Sequence, residues 1–277
     1  EMLRSLVGSE MCIRDRNKVL ELAENQTSLL TSAYFDQTYN SQPTYIAKKG
    51  YSMGMMYGYM YEGTYKYEDF YKSGDTYVLR PGVPYFSSEN NTQPGMPKYK
   101  DLNGDGIIDT NDRTMIGRGL PIHTGGFTND FEYKGFDLSI LCTYSIGGKV
   151  LDGIYNTLLY GNYVGQAKSK MLERAWKNPG DITDIPRIEI GKSYIVTDNS
   201  LIDASYFAIK NIALGYSLPS KWMKSIGFDS ARLTATADNV VLFNHLKGMD
   251  PQYNFTGGTN FGYVPVRTIS FGIDITF

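Results

Sequence analysis

The sequence predicts an all-β protein in which antiparallel strands form part of a transmembrane β-barrel, with long loops and one short loop helix. The 277 residues include 23 Tyr, 13 Phe and 29 Gly, and these residue types favour pleated strands and tight turns over helices. Several segments also alternate between apolar and polar side chains, which is the period of a strand with two different faces. No apolar run approaches the roughly 18 residues of a membrane helix, so any membrane-spanning part must consist of strands.

Charge, cysteine and histidine content limit the function classes. The charges are nearly balanced, with 27 Lys and Arg against 29 Asp and Glu, and no basic block offers a footprint for phosphates, so no nucleic-acid partner is expected. Cys12 and Cys142 have neither metal-type nor disulfide spacing. His123 and His245 have no acidic or thiol partner at ligand spacing. Because no nucleophile stands beside a base, the chain is predicted not to be an enzyme.

Residues 1–16 differ in character from the rest of the chain. The segment begins with Glu1 instead of Met, lacks the long apolar stretch of a signal peptide and contains "SLVGSEMCIRDR", which resembles a recurrent translated sequencing-adapter artefact. We interpret residues 1–16 as a non-native leader, with a genuine polar leader as the alternative. Residues 17–277 are then expected to be the incomplete, C-terminal part of a longer barrel protein.

A dense tract of Tyr, Met and Gly covers residues 51–71, "YSMGMMYGYMYEGTYKYEDFY". One interpretation is a strand and hairpin whose tyrosines belong to an aromatic girdle. The other is a stacking surface for sugars or peptides at the mouth of a lumen. The composition favours the first interpretation.

Residues 101–112, "DLNGDGIIDTND", follow the oxygen-donor pattern of a calcium-binding EF-hand loop, with Gly106 at the sharp turn. The candidate ligands are Asp101, Asn103, Asp105, Ile107 through its carbonyl, Asp109 and Asp112. Two departures matter: the last ligand is Asp instead of Glu, and the flanks hold Pro and Gly where the two helices of an EF-hand would stand. The pattern therefore predicts an EF-like loop that binds Ca²⁺ outside an EF-hand, with a plain Asp- and Gly-rich turn as the alternative.

Two alternating segments, "GGFTNDFEYKG" and "KGFDLSILCTYSI", follow the acidic loop. The second has the 9 to 11 residues of a membrane-spanning strand. One of its faces is apolar: Leu138, Ile140, Cys142, Tyr144 and Ile146. Lys134 and Gly135 join the two segments as a short turn, so the sequence predicts a β-hairpin.

One helical candidate, "AKSKMLERAWKNPG" at residues 167–180, carries apolar residues at helical spacing and ends in Pro-Gly. We interpret it as a helix within a long loop that packs on the barrel rim, with a partner-binding helix as the alternative. Residues 87–100 and 248–264, rich in Asn, Gly, Pro and Tyr, are expected to be further long loops. Short turns on one side and long loops on the other are typical of outer-membrane barrels.

The last three strand candidates close the chain. "YFAIKNIALGYSLP" alternates until Pro219, and "SARLTATADNVVLF" follows after a short turn, with a weaker apolar face. In "RTISFGIDITF" one face is wholly apolar: Ile269, Phe271, Ile273, Ile275 and Phe277. A strand that faces lipid on one side and a lumen on the other explains this alternation, and the final strand of a soluble sandwich is the alternative.

Several motifs resemble the SusC/RagA group of TonB-dependent outer-membrane transporters. The resemblance begins with "PKYKDLNGDGIIDTNDRTMIGRGLP", followed by "TGGFTNDFEYKGFDLSI". Further similar motifs are "YGYMYEGTY" at 57–65, "WKNPGDITDIPR" at 176–187, "YFAIKNIALGYSLP" at 206–219, "DPQYN" at 250–254 and the aromatic-ended last strand. Together they cover nearly all of residues 17–277.

The resemblance implies the C-terminal portion of a 22-stranded, plugged barrel in the outer membrane of a Gram-negative cell. It also implies the partners: a SusD-like surface lipoprotein, TonB acting through an N-terminal region, outer-membrane lipid, and an oligosaccharide or peptide substrate. The expected role is that of barrel wall and extracellular loops in a nutrient importer. The alternative is a soluble, calcium-dependent carbohydrate-binding or adhesive β-domain, which the acidic loop and the tyrosines would also fit.

Overall fold

The computed structural model describes nine segments of the chain: residues 9–14, 17–31, 43–151, 173–178, 180–183, 185–189, 195–245, 250–253 and 265–277. Within these segments the chain forms eighteen strands and one α-helix, and all strands longer than six residues begin at or after His123. The described helices include none that is long and apolar enough to cross a membrane.

The strands in chain order are β1 Ser9–Arg14, β2 Ser28–Thr31, β3 Tyr45–Lys48, β4 Met55–Gly58, β5 Tyr61–Thr64, β6 Phe70–Ser73, β7 Thr76–Leu79, β8 Tyr85–Phe86, β9 Pro97–Tyr99, β10 Ile107–Ile108, β11 Thr114–Arg118, β12 His123–Tyr133, β13 Phe136–Ile146, β14 Lys149–Leu151, β15 Leu201–Asp203, β16 Tyr206–Ser217, β17 Ser230–Asn244 and β18 Thr268–Thr276. The helix α1 is Ser220–Ser225.

The dominant element is a six-stranded antiparallel sheet in the order β1-β12-β13-β16-β17-β18. The predicted hairpin is confirmed: β12 pairs with β13 along its whole length, from His123 opposite Ile146 to Tyr133 opposite Phe136. Lys134 and Gly135 form the connection with φ of 48° and 84°, values that match a type I′ turn and the twist of the flanking strands. The predicted strands β16, β17 and β18 are likewise present.

The two ends of this sheet differ in the connections they carry. At one end, here the short-turn end, lie the two-residue turn between β12 and β13, the connection at 218–229 with α1, and the last residues of β18. At the other end, the long-loop end, β12, β16 and β18 begin and β13 and β17 end, and the described residues 43–122, 147–151, 195–205 and 265–267 lie on this side. This is the predicted asymmetry, with loops of very different length at opposite ends of the strands.

A bulge interrupts the ladder of β16 near the middle of the sheet. Leu141 faces Asn211 while its neighbour Cys142 faces Ile209, so Lys210 is an extra residue on β16. On β17 the opposing Asn239 has φ of 50°. The alternation resumes beyond the bulge on the same faces, because a β-bulge inserts an unpaired residue and re-aims the strand.

The segment at the long-loop end, here the loop region (residues 43–118 and 195–203), has its own small cores. One core contains Tyr59, Tyr99 and Ile108, and another contains Tyr65, Phe70 and Leu79. The tract 51–71 therefore does contain strands, as predicted, but Tyr59 and Tyr65 are buried within the loop region instead of standing in a girdle. The short strands here bury little area each, so large aromatic side chains supply most of the core.

Three other predicted elements have different outcomes. Residues 9–14 form the edge strand β1, paired with β12, and the interpretation of residues 1–16 as a non-native leader stays a prediction. The predicted helix at 167–180 lies mostly outside the described residues, as does most of the loop 248–264. The described α-helix, α1, instead occupies the turn after Pro219. Residues 87–100 contain β9 and one 3-10 turn.

Candidate functional site

One face of the six-stranded sheet is a continuous apolar surface. The pairing places on this face Ile269, Phe271, Ile273 and Ile275 of β18, Ala231, Leu233, Ala235 and Ala237 of β17, Ile212, Leu214 and Tyr216 of β16, and Phe136, Leu138 and Ile140 of β13. Phe271 is 83% exposed and Ile273 is 68% exposed. An exposed apolar patch of this extent is rare on a soluble monomer and marks contact with lipid or another apolar partner.

Aromatic side chains mark both ends of the apolar face. At the short-turn end Phe136 stacks on Tyr216, with ring centroids 4.1 Å apart. At the long-loop end the ring centroids of Phe207 and Phe243 are 6.4 Å apart. Rings at these two levels are typical of the aromatic girdles that sit at the two interfaces of a membrane barrel.

The opposite face of the sheet is polar and carries an ion pair across three strands. Arg232 of β17 donates from Nη2 to Asp137 Oδ2 of β13 at 2.7 Å, passing over Gly215 of β16. A Cβ at Gly215 would lie 2.3 Å from Arg232 Nη2 and 2.5 Å from Asp137 Oδ1. A side chain at position 215 would therefore push both members of the ion pair out of their present positions. No sequence pattern indicated this arrangement, because its three members are distant along the chain.

Replacing Gly215 with valine should cost about 2 kcal/mol of stability, since the new side chain displaces both members of the ion pair. The same replacement in an Arg232→Ala background should cost less, because one of the two obstacles has gone. The midpoint of urea unfolding of the full-length receptor in lipid vesicles measures both effects. Ala213→Val, on the same strand and face, is the control, and equal losses at positions 213 and 215 would contradict the proposed clash.

The acidic loop is organised by carboxylates that accept main-chain N–H groups. Asp101 accepts from Gly104 N at 2.7 Å through Oδ1 and from Gly106 N at 2.9 Å through Oδ2. The N–H of Gly106 is the first cause that lowers the pKa of Asp101, and the N–H groups of Gly104 and Asp105 and contact with the Asp112 carboxyl lower it further. The stability that these hydrogen bonds contribute is therefore present when the pH lies above the ordinary pKa of an Asp carboxyl. It is lost as the pH falls through the lowered pKa of Asp101 in the folded protein.

Asp112 is the central residue of the loop, and none of its surface is exposed. Its Oδ1 accepts from Leu102 N at 2.8 Å and Asn103 N at 3.3 Å, and its Oδ2 accepts from Asp109 N at 2.8 Å. The last residue of the loop thus ties its beginning to its end. The shorter arm of Asp, compared with Glu, suits these main-chain contacts.

The remaining predicted ligands lie on the outside of the same loop. Asp105 accepts from Ile107 N at 2.8 Å, and its other oxygen accepts from Asn103 Nδ2 at 2.9 Å. Asp109 accepts from Asn111 N at 2.7 Å. The donor set consists of oxygens, which is the type Ca²⁺ takes. Across the described ranges, however, no three side chains of His, Cys, Asp or Glu converge as a metal cluster, so an ion would require these side chains to rearrange.

A buried arginine connects the loop to the core of the loop region. Arg113 lies with its guanidinium 4.7 Å from the ring of Tyr57 and 5.7 Å from the ring of Tyr59. It donates from Nη2 to the carbonyls of Pro43 and Tyr57. Burial lowers the pKa of Arg113 and is also the main cause that raises the pKa of Tyr59. Sequence reasoning missed this residue, although it directly follows the acidic loop.

The geometry of the six-stranded sheet defines a class of protein. The sheet is part of the wall of an outer-membrane-type β-barrel, with a lipid-type face, a polar face, aromatic rims and long loops at one end. Solved structures agree. A structure of the RagAB peptide transporter superposes with a TM-score of 0.72 at 22% identity, covering 98% of this chain and 26% of that chain. The RagAB peptide importer in its open-open state gives a TM-score of 0.69 at 20% identity, over 98% and 26%.

Curated relatives give the family, although no family model matches the chain. TonB-dependent receptor P3 of Formosa agariphila is 31% identical over 95% of this chain and 26% of its own length. TonB-dependent receptor SusC of Bacteroides thetaiotaomicron is 25% identical over 68% of this chain and 18% of its own length. The chain is a SusC/RagA-like member of the TonB-dependent receptors. It spans about a quarter of the length of the first of these relatives.

Proposed function

We propose that this chain is part of the wall and loops of an outer-membrane importer that takes up oligosaccharides or peptides. The single observation that carries the proposal is the apolar face of the sheet, 83% exposed at Phe271, in a chain with TonB-dependent receptors as relatives. Lipid would cover such a face, whereas in water all of this apolar area would stay exposed at a cost in free energy.

The partners follow from the same relatives. SusC and the RagAB transporter support a SusD-like surface lipoprotein as the partner at the long-loop end. The name of the relatives, TonB-dependent receptor, supports energy supply by TonB. The RagAB structure is that of a peptide transporter, which supports peptides as the substrate class. Oligosaccharides are the other class that we propose. The wall of a transporter needs no catalytic residues.

Deletion of the full-length gene tests the proposed function. We expect loss of growth on one substrate class and unchanged growth on glucose, with growth restored by the wild-type gene. Parallel arms with oligosaccharides and with peptides as the sole nutrient decide between the two classes. The tagged receptor should fractionate with the outer membrane and co-purify with a lipoprotein, and recovery of the receptor in the soluble fraction would refute the proposal.

The soluble, calcium-dependent binding domain is disfavoured by the same apolar face. A soluble domain would have to cover Phe271, Ile273 and Leu214, all of which are exposed. A monodisperse preparation of the full-length protein without detergent would support this alternative. We expect aggregation instead, because exposed apolar sheet surface drives association in water.

We further propose that the acidic loop holds Ca²⁺ through Asp101, Asn103, Asp105, Asp109, Asp112 and the carbonyl of Ile107. The support is the EF-hand order of oxygen donors and the approach of Asp112 to Asp101 across the loop. A bound ion would supply positive charge between these two carboxylates and rigidify the loop. Its role is structural, because the flanking segments are the short strands β9 and β11 and not the paired helices of a sensor.

A calcium titration of the full-length receptor by calorimetry tests the ion site. The wild type should release or absorb heat of binding, and Asp105→Ala should weaken the affinity at least about tenfold, since it removes a charged ligand. Asp75→Ala, in the exposed turn between β6 and β7, is the matched control and should behave as wild type. Equal heats for Asp105→Ala and the wild type would remove the site.

A further inference from the structure

The turn at 218–229, between β16 and β17, has two distinct sides. Met223 of α1 is buried, with 6% of its surface exposed, and it accepts from Phe228 N at 3.1 Å. Trp222 and Ile226 are 60% and 61% exposed. One buried side chain, Met223, thus holds the turn in place, while the two large apolar side chains Trp222 and Ile226 are uncovered. A turn that faced only water would have no use for these two exposed apolar side chains.

The last residues of the turn continue the apolar face of the sheet. Phe228 packs edge-on against Phe277, with ring centroids 5.2 Å apart, and Phe277 continues the alternation of Ile273 and Ile275. Asp229 N donates to Thr276 O at 2.9 Å, which ties the turn to the end of β18. The turn therefore lies at the point where the lipid-type face ends, next to the aromatic pair of Phe136 and Tyr216.

The charges around the exposed side are suited to phospholipid headgroups. Lys221 and Lys224 are both exposed and flank Trp222 on α1. Asp229 is the one acidic residue of the segment 218–229, and it lies directly before β17. Tryptophan prefers the level of the headgroups, and lysines beside it reach the phosphates while their stems cover apolar surface.

We infer that residues 218–229 are an interfacial anchor, in which Trp222 and Ile226 insert among the acyl-chain carbonyls of the inner leaflet while Lys221 and Lys224 bind anionic headgroups. The inner leaflet follows from the position at the short-turn end, since short turns of outer-membrane barrels face the periplasm. The inference rests on the proposed membrane location, and it adds a lipid-binding role to a segment that the sequence predicted only as a turn.

Quenching of tryptophan fluorescence by brominated phospholipids tests the anchor. The full-length receptor is reconstituted in lipid nanodiscs, and the emission of Trp222 is the difference between the wild type and Trp222→Phe. Lipids brominated near the carbonyls should reduce this emission about twofold, and lipids brominated deep in the chains should reduce it less. Phe271→Trp in the Trp222→Phe background reports the middle of the lipid face and should show the reverse order.

The two reporters separate the possible failures. If Phe271→Trp is quenched and Trp222 is not, the anchor is refuted while the membrane location stands, and the exposed side is left to a periplasmic protein. If neither is quenched, the membrane location and the anchor both fail.

The role of Lys221 and Lys224 is tested by varying the charge of the lipid headgroups. With about a third of the lipid anionic, the Trp222 emission should shift to the blue relative to zwitterionic discs, because the lysines draw the helix toward the phosphates. The double variant Lys221→Ser and Lys224→Ser should lose this shift. Lys49→Ser and Lys72→Ser, exposed positions in the loop region, are the matched control and should keep it. A shift unchanged in the first double variant would overturn the assignment of headgroup binding to these lysines.

Discussion

Replacement of Phe271 by arginine should lower the ratio of folded to unfolded full-length receptor in lipid vesicles by roughly a hundredfold. Position 271 lies near the middle of β18 on the apolar face and is 83% exposed. Arginine near the bilayer midplane on the lipid face of a barrel costs about 2–4 kcal/mol. The folded fraction can be read from the shift in gel mobility between unheated and heated samples over a urea series.

Ser270→Arg is the matched control for this substitution. Ser270 is the preceding residue of β18 and pairs with Thr236 on the polar face, whereas Phe271 pairs with Ala235 on the apolar face. An arginine there meets water and polar side chains, so the folded fraction should change little. If the two substitutions were equally harmful, the assignment of the two faces would be wrong.

Replacement of Asp112 by alanine should open the acidic loop. The change leaves three main-chain N–H groups, those of Leu102, Asn103 and Asp109, without their acceptor. An unsatisfied buried donor costs about 1–3 kcal/mol, so hydrogen exchange of residues 97–118 should accelerate by roughly a hundredfold or more. Exchange mass spectrometry of the full-length receptor in EDTA measures this effect without any contribution from an ion.

Asp105→Ala gives the comparison in the same experiment. Asp105 is exposed and accepts from one main-chain N–H, that of Ile107, so its loss should accelerate exchange far less. The pair of variants separates the internal bonding of the loop from ion binding, because calorimetry reports on Asp105 and exchange in EDTA reports on Asp112. Equal protection in the wild type and Asp112→Ala would show that the buried carboxylate does not organise the loop.

The long strands were predictable because their cause is local. In β18 and β13 the side chains alternate with period two, and each face of a strand meets one environment over its whole length. The turn of Lys134 and Gly135 and the class of the fold follow from the same short-range pattern. The motifs that resemble the SusC/RagA group lie mostly in these strands and in the acidic loop, and relatives confirmed the family.

The placement of the Tyr-rich tract and of the loop ligands was less predictable. A run such as residues 51–71 fits a girdle or a core equally well, since both need aromatic side chains beside strands. Burial of Tyr59 and Tyr65 depends on segments far along the chain, such as β9 and the residues near Ile195. Likewise, the pattern of 101–112 predicted an acidic loop with candidate oxygen donors, but only the folded loop shows that Asp112 turns inward to main-chain N–H groups.

The sequence by itself thus determined the long strands β12, β13, β16, β17 and β18, their two faces, the acidic loop and the family. The tertiary structure decided the contacts between distant residues: the ion pair of Asp137 and Arg232 over Gly215, the binding of Arg113 to the carbonyl of Pro43, 70 positions away, and the packing of Phe228 on Phe277. The physical reason is that alternation is a property of neighbouring residues, whereas these contacts depend on strand order and register, which are fixed only when the sheet assembles.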